Sequence, residues 1–171
     1  ATRGESARRD SLKDEIAGIR RLSASIPGAP DLDAVRGFEG AAGRLYFQSL
    51  PKLLHGSVPD SMKPAGRSRR PPKDRFNCLL SFGYSILYGA VHQAILTLGL
   101  EPALGFLHQP RSAAHPLVMD LMELFRVPLV DMVVVGSVNR LQWDPAEDFS
   151  IAGARVWLSD PGRRKAISLF E

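Results

Sequence analysis

Over residues 73–98 apolar side chains recur so densely that a helix made of them would keep almost no polar face. Phe76, Leu79, Leu80, Phe82, Ile86, Leu87, Ala90, Val91, Ala94, Ile95 and Leu98 fall nearly all round a wheel of 3.6 residues per turn. Such a helix needs other elements to cover it, so the pattern predicts a central, buried rod with the rest of the chain laid around it. Gly99 is a natural stop, because glycine enters the left-handed conformation that closes many helices at little cost. On the rod, Tyr84 and Tyr88 are expected to share a packed face, and His92 to be packed or hydrogen-bonded rather than a ligand. No apolar run is expected to reach the roughly 18 uncharged residues of a membrane span, and no signal-peptide pattern opens the chain.

Shorter patterns place the other elements. Leu12, Ile16, Ile19, Leu22 and Ile26 recur at steps of three and four, which predicts an amphipathic helix over residues 1–26. The PGAPD segment ends it, and Asp31 or Asp33 can cap a second helix over residues 32–50. Inside that helix Gly37, Gly40 and Gly43 each cost roughly 1 kcal/mol relative to alanine, and close approach of another helix is the simplest compensation. Residues 109–115 read as a loop. Pro116 suits the first turn of a helix running to Arg126, which Val127-Pro128 then breaks. The valines at 133–135 belong to a further helix, since a lone strand there would have nothing to pair with. Residues 154–158 alternate like a short strand, and Asp160-Pro161 opens a last helix with the aspartate as N-cap. The fold class expected is all-α: one helical domain over residues 1–171, about seven helices, a long basic loop and one short strand near the C-terminus. The 44% hydrophobic and 23% charged content suits a globular chain with a core. Cys78, the single cysteine, cannot form an internal disulfide and fits a reducing cytoplasm.

The long loop, residues 51–75, is rich in proline, glycine and serine and reads as mobile, with one helical turn at residues 52–55. Between Lys63 and Arg75 six basic side chains stand against Asp74 alone, so this loop carries the whole excess of a chain whose net charge is +4. Charge by itself leaves a solvated linker and a contact with a nucleic-acid backbone equally open.

Chemistry concentrates in residues 105–126. His108 ends an apolar run, and Asp120 and Glu123 are three apart on one face of the predicted helix. Two carboxylates held together repel unless a cation or a proton lies between them, and the histidine offers a third donor. That points to a divalent metal, although a surface acid pair beside a packed histidine satisfies the same spacing. Glu39, on the second helix, is by itself the kind of residue usually solvated.

Three segments resemble, in order, the core motifs of the CRISPR-associated adaptation integrase/endonuclease (Cas-one) family: GFEGAAGRLYF, then RRPPKDRFNCLLSFGYSILYGAVHQAILTLGLEPALGFLH, then HPLVMDLMELFR. From residue 34 onward the chain is similar to that family's C-terminal catalytic helical domain. The resemblance implies catalytic roles for Glu39, His108, Asp120 and Glu123. Glu39, His108 and Glu123 become metal ligands, and Asp120 a further ligand or the partner of one. It tips the basic loop towards DNA, with Arg69, Arg70, Lys73, Arg75 and Asn77 as the contacting residues, Asn77 ordering either the site or its DNA. The implied cofactor is Mg²⁺ or Mn²⁺, the single nitrogen donor leaning towards Mn²⁺. The implied reaction is attack of a DNA 3′-hydroxyl on a repeat phosphodiester, inserting new spacer DNA into a CRISPR array, with water in place of the hydroxyl giving nuclease activity. Implied partners are double-stranded DNA (spacer precursor and repeat), a second copy of the chain, the small Cas-two dimer and a Cas-four nuclease, separate or fused, in a prokaryotic cytoplasm. Nothing before residue 34 resembles the family's β-rich dimerisation domain, and the first helix lacks its K-I-x-N-Q pattern, so a fragment or one part of a fusion is expected. Two other readings are a non-catalytic DNA-binding scaffold in the same complex and an unrelated helical bundle whose acids are surface charges.

Overall fold

In a computed structural model, which describes residues 9–109 and 115–170, the chain divides into two compact units. One is Ala1–Gly56 with Ala65–Arg67, and the other is Ser57–Pro64 with Ser68–Glu171. The expected helical start at residues 1–8 and most of the expected loop at 109–115 lie outside the described residues.

The first unit is a pair of helices, α1 (Lys13–Ser25) and α2 (Leu32–Ser49), joined by a 3₁₀ turn at Ile26–Gly28. Asp31 starts α2 as expected, its Oδ1 accepting the backbone N–H of Ala34 at 2.8 Å. The close approach that glycine permits occurs on α1: a Cβ on Gly18 would sit 2.7 Å from Leu45 Cδ1. The glycine triplet of α2 does not serve that purpose. A Cβ on Gly37 or Gly40 would meet no atom within 4 Å among the described residues, and one on Gly43 would meet only Glu39 Oε1, at 4.0 Å. Lys52, in the 3₁₀ turn Leu50–Leu53, ties back to α1 through the Glu15 carboxylate at 2.5 Å and to the Ser11 carbonyl just ahead of it at 2.9 Å.

The second unit is built on α3 (Arg75–Thr97), followed by α4 (Pro116–Arg126), α5 (Met132–Asn139), a hairpin of β1 (Phe149–Ala152) and β2 (Arg155–Leu158), and α6 (Asp160–Phe170). Asp74 caps α3 through the Asn77 N–H at 2.7 Å. At its far end Gly99 has φ +69°, and the Gly99 and Leu100 N–H groups return to the Leu96 and Ile95 carbonyls, as the glycine predicted. Phe76, Leu79, Leu80, Leu87, Val91 and Ile95 are buried, together with Val118 from α4 and Val134 from α5. The second half of α3 keeps one open side, with Ile86 and Leu96 exposed. His92 is packed as expected, its ring stacked on His115 with centroids 4.7 Å apart.

Several expectations are corrected. Residues 76–100 contain no charged side chain, so α3 is long and apolar enough to cross a membrane by length and composition, contrary to the expected absence of such a run. In this unit it is a core rod, with α4, α5, α6 and β2 all packed on it. Pro128 does not break the chain after α4. Its missing N–H is absorbed by one turn of π-helix, Val127–Asp131, and the helical path runs on into α5. The strand at 154–158 is present as β2, but it has a partner, antiparallel β1, with Phe149 opposite Leu158 and Ile151 opposite Val156. Among the described residues the helices number six, in keeping with the expected all-α fold. The last of them is capped one residue early: Ser159 Oγ accepts the Gly162 N–H at 3.1 Å, which puts Asp160 inside the helix. The basic loop is anchored rather than mobile, since Val58 and Met62 are each 2% exposed and pack into the second unit. Cys78 is buried, and burial together with the nearby Asp74 carboxylate pushes its thiol up to about 12.

Candidate active site

Pro116 starts α4 and places Asp120 one turn in, where the preceding loop folds over it. The N–H groups of Phe106 and Leu107 donate to Asp120 Oδ2, the latter at 3.1 Å, and the His108 N–H donates to Oδ1 at 2.9 Å. His108 Nδ1 lies 2.7 Å from the same Oδ1. The loop can lie this flat because residue 105 is glycine. A Cβ there would collide with Pro116 and come within 2.9 Å of Asp120 Oδ2. Burial works to raise the Asp120 carboxyl, but the His108 ring and the three N–H donors outweigh it and hold the group below the usual carboxylate range. An ionised carboxylate only accepts, so Nδ1 carries the shared proton, and in the neutral ring Nε2 keeps its lone pair. A ring one-third exposed and held this way is how a histidine is prepared to ligate a metal.

Glu123 follows one turn later and is neutralised separately, by an ion pair with Arg126. The guanidinium lies over the ring of Tyr84, 4.7 Å from its centroid, and the Tyr84 hydroxyl bonds to Asp131. Asp131, on the π turn, is 1% exposed. Burial, then the Asp131 carboxylate, pushes the Tyr84 phenol upward, so it remains a donor. Asp120 and Glu123 therefore do not share one cation or proton between them, as spacing alone had suggested. Each has its own counter-group.

The described arrangement brings His108 and Asp120 into contact, and Glu123 stands three residues after Asp120 on α4. Glu39 is exposed on α2, in the first unit. Among the described residues, no three His, Cys, Asp or Glu side chains are gathered to hold a metal ion. The donor types, one imidazole nitrogen and carboxylate oxygens, nonetheless fit Mg²⁺ or Mn²⁺.

In the basic loop, Arg69, Arg70 and Lys73 are exposed. Arg75 and Asn77, also expected at the DNA contact, are turned inward, Asn77 in keeping with the ordering role expected of it. Arg75 donates to the carbonyls of Pro145 at 2.9 Å and Ser61 at 3.3 Å, with its guanidinium over Phe149. Asn77, 1% exposed, accepts the Ser68 N–H at 3.2 Å and donates to Asp74 Oδ2 at 2.7 Å. Both order the loop that presents the other three. Sequence reasoning passed over Arg126, although its spacing of three from Glu123 is a helix ion-pair signal. Tyr84 and Asp131, 47 positions apart, leave no such signal.

A family model described as CRISPR associated protein Cas1 matches residues 1–171. A CRISPR-associated exonuclease Cas4/endonuclease Cas1 fusion from Leptospira interrogans is 51% identical over 171 residues, covering 100% of this chain and 31% of the relative. A Cas1 protein from Thermotoga maritima superposes with a TM-score of 0.81 at 25% identity, covering 95% of this chain and 54% of the other. A chain of a partial Cas6-RT-Cas1–Cas2 complex superposes with a TM-score of 0.85 at 31% identity, covering 96% and 49%. This chain thus spans about a third of that curated relative and about half of each solved chain. Matched by the family model from its first residue to its last, and by the fold of α1 to α6, it belongs to the Cas1 family of CRISPR-associated proteins.

Proposed function

We propose that this chain is the catalytic part of a metal-dependent DNA endonuclease and integrase that inserts new spacer DNA into a CRISPR array. The observation that carries the reading is His108, whose Nδ1 is committed to Asp120, so that Nε2 is the ring nitrogen left to ligate a metal. Glu39, His108 and Glu123 would hold Mg²⁺ or Mn²⁺, which when bound polarises a phosphodiester and stabilises charge on the attacking and leaving oxygens. Asp120 orients the imidazole. Arg69, Arg70 and Lys73 hold the phosphate backbone of double-stranded DNA. Cys78 is excluded as a nucleophile by its burial and its raised thiol pKa, which leaves the attack to the 3′-hydroxyl of the incoming DNA, or to water when the outcome is cleavage. The names of the relatives support the partners expected: a Cas4 exonuclease fused to Cas1 in one, and Cas2 in complex with Cas1 in another. Pairing with a second copy of the chain belongs to the same reading.

A second reading, a DNA-binding scaffold without catalysis, is favoured by the absence of a gathered three-ligand cluster among the described residues. Strand transfer separates the two. Incubated with repeat duplex, a short duplex bearing free 3′-hydroxyls and Mn²⁺, the protein is expected to give joined and cleaved products that vanish with EDTA and return with excess Mn²⁺. DNA binding without product would sink the enzymatic reading.

The loop has its own measurement. Replacing Arg69, Arg70 and Lys73 by alanine removes three charges and is expected to lower the slope of log K against log[salt] by about 3, close to one unit per lost phosphate contact. An unchanged slope would mean that DNA does not bind there.

A further inference from the structure

Arg126 presents a difficulty for any cation that Glu123 is to hold. The two are paired one helical turn apart, the guanidinium side chain is 17% exposed, and an incoming cation must compete with a positive charge already in place. On its other side, however, Arg126 is drawn towards a second negative pole. Its guanidinium covers the Tyr84 ring at 4.7 Å, and the Tyr84 hydroxyl is bonded to the buried Asp131 carboxylate. All four residues lie in the second unit, on α3, α4 and the π turn that Pro128 introduces. Two carboxylates thus stand at opposite ends of a chain of contacts with one guanidinium between them.

We propose that Tyr84 and Asp131 are positioning residues that draw Arg126 away from Glu123 and so leave the Glu123 carboxylate able to take a divalent cation. The proposal rests on the reading of Glu123 as a metal ligand and deepens it. Away from bulk water the pull of Asp131, relayed by the polarised Tyr84 hydroxyl, is little screened. Asp131→Asn removes the second carboxylate and Tyr84→Phe the hydroxyl that relays it, so in either case the ion pair with Glu123 tightens and the cation binds more weakly. The π turn has a use in this arrangement, because it carries Asp131 to the ring of Tyr84 instead of following the regular helical path.

Mn²⁺ alone is the probe, titrated into the full chain and followed by the electron paramagnetic resonance signal of the free ion, with no catalysis involved. Tyr84→Phe keeps the ring and every charge, and Asp131→Asn keeps the shape. Each is expected to raise the half-saturating Mn²⁺ concentration about tenfold, the low end of what partners of metal ligands are worth. Placed in an Arg126→Met background, Asp131→Asn is expected to shift the midpoint less than about threefold, because no guanidinium is left to draw away. A merely structural Asp131 would lower the unfolding midpoint equally in both backgrounds and leave the Tyr84→Phe titration unmoved. Should Asp131→Asn fail to fold, Tyr84→Phe carries the test by itself. Unchanged midpoints in a chain that binds Mn²⁺ would overturn the proposal and leave the metal reading standing. No Mn²⁺ binding by the unaltered chain would overturn both.

Discussion

With His108 replaced by alanine, strand transfer and cleavage are expected to fall by more than about a hundredfold while DNA binding is kept. The bound follows from what is measured for the supporting partners of metal ligands, whose loss costs about 10- to 100-fold, so that loss of a ligand itself exceeds it. The fold should survive. The three backbone N–H groups that bind Asp120 belong to Phe106, Leu107 and the main chain of His108, and none depends on the imidazole. Only the ring contact to Asp120 is lost, from a side chain already one-third exposed, at a cost of about 1 kcal/mol. Initial product rates at saturating Mn²⁺, fluorescence anisotropy with labelled duplex and a denaturant melt together check the claim. Glu39→Ala and Glu123→Ala are expected to follow the same pattern, and wild-type rates in any of the three would remove that residue from the site.

Asp120→Ala should behave differently, losing activity and stability together. Its carboxylate accepts three backbone N–H bonds and the His108 ring from the loop over residues 106–108, so its removal leaves four donors without their acceptor. An unsatisfied buried donor costs about 1–3 kcal/mol, but Phe106 is exposed and water can serve part of the loop. The expected destabilisation is therefore about 3 kcal/mol, well below the sum, read as a shift of the urea midpoint at constant m-value. Asp120→Asn keeps one accepting oxygen and should cost about half as much, yet its activity should also collapse, because a neutral amide no longer sets the His108 tautomer. An unchanged midpoint in Asp120→Ala would show that the loop is held by something other than this clamp.

Much of the fold could be read locally. The apolar run of α3, the Asp31 cap, Pro116 at the head of α4 and the left-handed Gly99 are properties of neighbouring residues, and local chemistry is enough to place them. The same kind of reasoning fails where two local rules compete. Pro128 breaks an α-helix by removing one N–H, yet a single π turn removes the conflict and the helix continues. Ser159 and Asp160 are both good caps, and the backbone used the first. Gly18 and the triplet at Gly37, Gly40 and Gly43 look alike on paper; only packing shows that it is Gly18 that another helix approaches.

The site divides in the same way. Residue types and motif order were enough to nominate Glu39, His108, Asp120 and Glu123 and to place the chain among the Cas1 proteins, because donor chemistry and local spacing are carried by the sequence itself. How each acid is used was decided by the tertiary structure. Asp120 is turned to the loop before it, with both oxygens engaged, and Glu123 is held by Arg126. Spacing on a helix brings two carboxylates to one face, but their partners arrive from segments 12 to 14 residues away, in the case of Asp120, and the Tyr84–Asp131 bond spans 47. Contacts of that range depend on how the helices pack, and no periodicity along the chain encodes them.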